Sequence, residues 1–596
     1  MYCACTGILI SFARMLQMNP SNMDLLILLL VVPVISAFNL TILHTNDVHA
    51  RFEETNKYSG PCTEKDLNKD DCFGGYPRII SKIKDLKSRY PNTLVLDGGD
   101  QYQGTTWFYH FGGNVTSYFM NYLEYDAMAI GNHEFDNAVS GLVAPFLEKV
   151  NFPVLSANID ASQEPTMQNK FNKSVILTVA GEKIAVIGYT TTDTPSISST
   201  GKLIFNDEVE SVRNEVATIK GSHPTVNKFI ALGHAGFTKD KRIAEEVEDI
   251  DIVVGGHTNT FLYSGEEPSN EKKDGDYPFV VTKTSGKKAV CVQDYAYGKY
   301  LGFLHVEFDD DGNVNTWMGN PILLNSSIPK DNATLVEMRP WKQEIQHFKK
   351  SVVGETRVLL QGDSKVCRKD ECNLGNAITD GILRYNLNER ANGTWNNVSI
   401  VLMNSGGIRS PIEQGDITIE QVLTVMPFRN TIDRLDMKGV HLKATLEHSV
   451  SLYGPDLAGR FLQFSGLRVK YNVYKPVGQR VISVKVQCIE CDVPEFEDLN
   501  EDKVYSILIP AFVANGGDAY DVIVKNKMNH IEKGDLDATV FNKYLEKFSP
   551  IIQGLDGRIE FETENTEKRC PTNAAHKSLT YCTFIILSIV ISLYFL

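Results

Sequence analysis

No apolar run in this 596-residue chain reaches the roughly 20 residues that a helix needs to cross a bilayer, which leaves no ordinary spanning segment. There is no excess of positive charge: 59 Lys and Arg stand against 74 Asp and Glu, a net −15. A field of that sign disfavours nucleic acid and anionic membrane surfaces as general partners. An anionic substrate would therefore need a locally positive site. Internal repeats and low-complexity tracts are absent too. With 42% hydrophobic and 22% charged residues the composition is globular, which excludes a disordered or collagen-like polymer. Cys488 and Cys491 have no further Cys or His nearby in sequence, which argues against a zinc pair there.

The most hydrophobic stretches lie at the two ends and read as processing signals. Leu25 to Ile35 is followed by the small Ser36-Ala37, so residues 1–37 are expected to be a signal peptide and Phe38 the mature start. Arg14 is the single basic residue before that run, and Met15, Met18 and Met23 are alternative initiators. Tyr581 to Leu596 is apolar, ends the chain and follows the polar spacer His576 to Thr580. With the small residues Asn573-Ala574-Ala575 before it, 566–596 fits a glycolipid-anchor signal cleaved after about residue 573, with Asn573 the attachment site and Cys570 a second candidate. A plain tail anchor is the alternative. Cys62/Cys72, Cys367/Cys372 and Cys488/Cys491 are close in sequence, which suits three short disulfides in an oxidising compartment, with Cys291 and Cys570 left over. Seven Asn-x-Ser/Thr sequons, at Asn39, Asn114, Asn172, Asn325, Asn332, Asn392 and Asn397, agree with secretion.

Between the ends, strand-like runs such as 40–44, 94–96, 127–130, 184–188, 229–232 and 250–254 alternate with amphipathic segments such as 78–89 and 208–219, an α/β pattern. We place a first domain at 38–330, a linker helix at 331–350 and a second α/β unit at 351–565. The second unit is expected to hold helices at 374–387 and 440–453 and a strand at 398–403.

Five short motifs in the first domain follow apolar runs: Asp47-Val48-His49, Gly98-Gly99-Asp100, Gly131-Asn132-His133-Glu134, Gly233-His234 and Gly255-Gly256-His257-Thr258-Asn259. Alternate residues of an extended segment point the same way, so Asp47 and His49 can reach one ion. The mixture of carboxylate, imidazole and amide suits a pair of divalent ions, zinc or manganese rather than calcium. A lone Gly-His is more often structural; five such motifs in order are not easily so explained.

In this order the motifs resemble those of the calcineurin-like dimetal phosphoesterases, and His44-Thr45-Asn46-Asp47-Val48-His49-Ala50-Arg51 is similar to the 5′-nucleotidase branch. The resemblance implies a four-layer α/β/β/α first domain and a nucleotide-binding second domain. It implies that Asp47, His49, Asp100 and Asn259 hold one metal, and that Asp100 bridges to a second held by Asn132, His234 and His257. Such a pair activates a hydroxide nucleophile at neutral pH. His133 and Asp136 would form a catalytic dyad, the imidazole stabilising phosphoryl or leaving-group charge.

In the second half, Arg368 lies between Cys367 and Cys372, Asn404-Ser405-Gly406-Gly407-Ile408-Arg409 follows a strand, and Phe428, Phe512 and Asp518 lie near loop glycines. Taken singly, the rings read as core and the arginines as surface-paired. Together they resemble the substrate site of ecto-5′-nucleotidases, where two Phe rings clamp the base and the remaining groups bind phosphate and ribose. Arg429-Asn430 departs from the Gly-Gly often found after the first ring. The expected activity is extracellular hydrolysis of nucleoside 5′-monophosphates, AMP especially, by an enzyme glycolipid-anchored at the cell surface or secreted, with a homodimer implied by the resemblance. Two alternatives stay open. One is an apyrase cutting ATP and ADP, which Ala50-Arg51-Phe52-Glu53-Glu54-Thr55-Asn56 resembles; the other is an inactive adhesion or nucleotide-binding relative, suggested by Lys533-Gly534-Asp535.

Overall fold

The computed structural model describes residues 38–349, 351–387, 395–454, 457–531 and 535–562. The expected leader 1–37, the anchor signal with Asn573, Cys570, the sequon at Asn392 and the Lys533-Gly534 pair lie outside the described residues.

The first domain is built on two stacked sheets. One is seven-stranded, with Val314–Gly319, Tyr300–Phe308, Phe38–Thr45, Thr93–Asp97, Ala127–Ala129 and Val154–Leu155 side by side and Ile322–Leu323 paired to Tyr300–Phe308. The other is six-stranded, in the order Phe279–Thr282, Lys288–Val292, Ile252–Val254, Lys228–His234, Glu182–Thr190 and Ser174–Val179. Both faces of the central strands are covered, and the period-two alternation sends neighbouring residues into different layers. Leu40, Ile42, Ile184, Val186, Ile230 and Leu232 meet between the sheets. Leu43 faces instead the outer helices Tyr76–Arg89 and Gly113–Leu123, while Ala185, Ile187, Phe229 and Ala231 face Glu208–Ser222 and Phe237–Glu246 on the other side. The result is a four-layer α/β/β/α sandwich.

Helix starts follow local chemistry. Pro77 opens Tyr76–Arg89 after Gly75 at φ 83°, and the Asp207 carboxylate caps Glu208–Ser222 by accepting from Glu210 N–H at 2.9 Å. The strand expected from Ile250 begins at Ile252, because Ile250 N–H closes a turn on the Val247 carbonyl. The helix Asn332–Lys349 does more than link: Met338 and Ile345 are buried in the first domain's core, with Trp341 packed beside them.

The second domain has a five-stranded sheet in the order Leu462–Ser465, Ile400–Asn404, Val504–Pro510, Ile432–Lys438 and Met528–Ile531, with a four-stranded sheet beside it. Val401 and Met403 face the helices Asn373–Asn386, Ile419–Val425 and Asp537–Phe548, whereas Ile400 and Leu402 face a separate core holding the helix Gly439–Ser449. That helix stops short of the expected Tyr453, where Ser451 N–H turns back to the His448 carbonyl. Cys62–Cys72, Cys367–Cys372 and Cys488–Cys491 are disulfide-bonded, and Cys291 is a buried thiol.

Candidate dimetal active site

Phe38–Thr45, Thr93–Asp97 and Ala127–Ala129 run parallel in the first sheet, as do Lys228–His234 and Ile252–Val254 in the second. Their carboxyl ends therefore open on one side, where ligand sites of α/β sheets form. All five motifs sit there, four in the loops after these strands and His234 as the last residue of its own strand.

Asp100 is the centre. Its Oδ2 lies 3.0 Å from His234 Nε2 and 3.9 Å from both His49 Nε2 and His133 Nε2. Two ligand clusters, His49-Asp100-His133 and Asp100-His234-His257, share this carboxylate, an arrangement suited to two ions with one bridging group. Asp47 Oδ1 is 3.9 Å from both His49 Nε2 and His234 Nε2, and its Oδ2 accepts from Asn46 Nδ2 and from the His257 backbone N–H. His257 Nδ1 lies 2.9 Å from Asn132 Oδ1.

The ligand set fits divalent cations. His49 and His234 direct Nδ1 at the carbonyls of Tyr102 and Gly98, which leaves each Nε2 free for a ligand. Asn259 Oδ1 is buried with no hydrogen-bond partner, and the buried His234 Nε2 has Asp100 Oδ2 as its near neighbour at 3.0 Å. His49 Nε2 instead accepts from Arg409 Nη2 at 3.2 Å, a guanidinium standing where a cation would be. Burial would lower the His234 pKa, yet Asp100 and Asp47 raise it to about 10. A pocket that draws a proton this strongly holds unneutralised negative charge.

His133 Nδ1–H donates to Asp136 Oδ2 at 2.6 Å. Burial works against the charged ring, but Asp136 and Asp100 outweigh it and raise the pKa. Asp136 is itself held by Ser198 Oγ at 2.8 Å and Gln103 Nε2 at 3.2 Å.

The second domain faces this centre. Arg409 follows the Ile400–Asn404 strand and reaches His49. Phe428 stacks on His133 with ring centroids 5.6 Å apart, and the Arg409 guanidinium carbon also lies 5.6 Å from the Phe428 centroid. Arg368 is bonded to the Leu457 carbonyl; burial, then Arg409, lower its pKa to about 10. Asn404 Nδ2 donates to Asp518 Oδ2 at 2.7 Å, and Phe512 packs against Gly517, where a Cβ would meet its ring at 2.5 Å. Asp518, buried, has a raised pKa from desolvation, opposed by Asn404 and Arg368. Phe428 and Phe512 are both half-buried rather than exposed rings. The metal-ligand and dyad residues singled out from the sequence thus gather on one side of the first domain, and Arg409 and Phe428 reach them from the second.

Sequence reading missed the groups that hold the ligands. Glu134, fully buried, accepts backbone N–H from Asp100, Gln101, Tyr102 and Gly131, tying two ligand loops together. Burial, then Asp100, raise its pKa to about 7. Its place beside His133 in Gly-Asn-His-Glu was the available signal. The backbone acceptors of Tyr102 and Gly98 carry none. A further mark is conformational: Asp47, His49, Asp100, His257, Asn259 and Asp518 all take positive φ, between 51° and 81°. Such backbone is costly for residues other than Gly and gathers at functional sites.

Comparison with known proteins agrees with this geometry. The Calcineurin-like phosphoesterase family matches residues 40–261, and the 5'-nucleotidase, C-terminal domain matches 352–525. The chain is 46% identical to mouse 5'-nucleotidase over 535 residues, covering 89% of this chain and 92% of that one, and 45% identical to the human 5'-nucleotidase over 537 residues at the same coverages. It is 45% identical to the snake venom 5'-nucleotidase of Naja atra, covering 88% of this chain and 99% of that one. Among solved structures, the 5'-nucleotidase precursor from Thermus thermophilus superposes with a TM-score of 0.82 at 36% identity, covering 88% of this chain and all of that one. With its two-domain architecture and its cluster of side chains suited to holding metal ions, the chain belongs to the 5'-nucleotidase family of calcineurin-like phosphoesterases.

Proposed function

We propose that this enzyme hydrolyses nucleoside 5′-monophosphates, AMP among them, to nucleoside and phosphate, at a site formed by both domains. The observation that carries the reading is the pair of ligand clusters joined at Asp100 and faced by Arg409. Asp47, His49, Asp100 and Asn259 would hold one cation and Asp100, Asn132, His234 and His257 the other, with zinc the favoured metal because imidazole predominates among neutral ligands. Bound there, two divalent ions supply Lewis acidity for activating water and neutralising phosphoryl oxygens.

The side chains do the rest. His133, whose bond to Asp136 favours the charged ring, faces the cleft with Nε2 and stabilises negative charge on the phosphoryl group or the leaving 5′-oxygen. Arg368, Arg409 and Asn404 bind the phosphate, Asp518 accepts from the ribose diol, and Phe428 and Phe512 hold the base. Binding energy gathered at the base then orients a phosphate bound on the other domain.

The activity is tested by measuring phosphate release from AMP, ADP and ATP side by side. Faster release from AMP is expected; equal or faster release from ADP would make the enzyme an apyrase, and release from none would favour an inactive relative. Phe428→Ala with Phe512→Ala is expected to raise KM for AMP by about 30-fold or more, at roughly 1–3 kcal/mol per stacked base face. Metal content should stay intact, and an unchanged KM would show that the rings serve only the core.

The cell-surface location, a glycolipid anchor at Asn573 and a homodimer complete the proposal. They are supported by the end segments, the three disulfides and the resemblance, and no helix among the described residues is long and apolar enough to cross a membrane. Treatment of intact cells with a phosphatidylinositol-specific phospholipase is expected to release the enzyme. Its retention would point to a tail helix.

A further inference from the structure

Arg429 and Asn430 follow Phe428 and lie outside the substrate-binding set, yet their contacts run in three directions. Arg429 is exposed, and its guanidinium carbon sits 4.7 Å over the ring of Tyr109, a residue of the first domain. Tyr109 lies in a short helix of that domain but packs against the second domain's core. Asn430 Oδ1 accepts from the Phe512 backbone N–H at 3.3 Å, and its carbonyl accepts from Asp537 N–H at 2.8 Å. The two residues therefore connect Phe428, through the chain, to Phe512 and to the other domain.

Two observations show that this connection is built at a cost. Arg429 holds φ 59°, a left-handed backbone that an L side chain other than Asn or Asp rarely takes, and the other residues so strained include Asp47, His49, Asp100, His257 and Asp518. The Arg429–Tyr109 contact also borders a cavity of about 200 Å³ between the domains, lined by Leu423, Met426 and Asn542 among others. The seam is incompletely filled beside the stack.

We propose that Arg429 and Asn430 are positioning residues that set the spacing and orientation of the two aromatic rings relative to the catalytic domain, and so determine how strongly the enzyme prefers a phosphate ester carrying a flat base. Arg429 anchors the Phe428 segment on Tyr109 by cation–π attraction, and Asn430 pins the Phe512 turn to the same segment. The inference rests on the proposed nucleotidase reading, in which these rings hold the base.

Glycine adopts the φ 59° of Arg429 freely, so Arg429→Gly removes the stack without straining the backbone, and Asn430→Ala removes the side-chain acceptor for Phe512 N–H. The experiment measures kcat and KM of the intact enzyme for AMP and for ribose 5-phosphate, which has the same ester and sugar but no base. In the double variant, the ratio of kcat/KM for AMP to that for ribose 5-phosphate is expected to fall about tenfold, mostly through KM for AMP, the scale of one exposed cation–π contact together with one hydrogen bond. Arg429→Lys, which keeps a cation over Tyr109, should restore most of the ratio lost in Arg429→Gly. An unchanged ratio, or an equal loss on both substrates, would overturn the inference. Failure of the unaltered enzyme to cleave AMP would instead refute the nucleotidase reading, so the two outcomes are separable.

Discussion

Asp100→Asn is expected to lower kcat for AMP by about 10³-fold or more, since a catalytic metal ion supplies several kcal/mol of charge stabilisation and each 1.36 kcal/mol is tenfold in rate. The substitution keeps the shape of the side chain and removes its charge. Oδ1 of the carboxylate accepts from His133 N–H at 2.9 Å, a bond that the amide oxygen can retain, so the loop geometry should survive. Oδ2 has no such substitute. It stands among His234, His49 and His133, and the two ligand clusters have no other member in common. Replacing it with a neutral group, or turning an amide N–H toward the histidines, weakens both metal positions together. Elemental analysis of the purified variant should therefore show loss of metal alongside loss of rate. Full metal content with near-normal turnover would remove Asp100 from the bridging position.

His133→Gln should separate catalysis from metal binding. The imidazole lies beside the Asp100 cluster and is oriented by Asp136, Ser198 and Gln103, a chain of contacts that fixes Nδ1 and aims Nε2 at the cleft. A positioned general acid or charge-stabilising group contributes about 10²–10⁴ in rate, so kcat should fall by that factor while metal content changes little. Asp136→Asn, which keeps a hydrogen-bond acceptor but removes the charge that raises the His133 pKa, should cost about 10–100-fold, the range for losing a group that orients a functional residue. If His133→Gln lost its metal instead, the residue would be a ligand, as its place in the His49-Asp100-His133 cluster also permits.

Much of the site was legible because its residues sit where strands end. Apolar runs such as Leu94 to Leu96 mark strands buried on both faces, and Asp, His and Asn next to Gly after such runs are hard to explain as packing. The sequence also separates the two halves, since the second set, from Arg368 to Asp518, belongs to its own sheet and loops. What it does not carry is the support beneath the ligands. Glu134 works by accepting backbone N–H groups from its own loop and from the Asp100 loop, and no local pattern encodes those partners. The backbone carbonyls of Gly98 and Tyr102 that orient His234 and His49 have no side-chain signature at all. That the two halves share one site follows from the resemblance, but the particular contacts that join them were equally hidden. Arg409 reaches His49, and Tyr109 enters the second domain's core, across long sequence separations that only the folded chain brings together.

The boundaries that moved did so for local reasons of the same kind. Ile250 is apolar enough to extend the strand at Ile252–Val254, but its N–H is already used by the turn on Val247. Trp341, Met338 and Ile345 gave the linker helix its periodicity, and the partner of that apolar face is the first domain itself.

The central claim is that hydrolysis depends on cations held at the Asp100-centred clusters. It is tested most directly by assaying phosphate release from AMP with the purified enzyme before chelation, after exhaustive chelation, and after adding back zinc or manganese. Activity should vanish with the metal and return when it is restored to the unaltered enzyme, but not to Asp100→Asn. Undiminished release of phosphate from the chelated, metal-free enzyme would contradict the account.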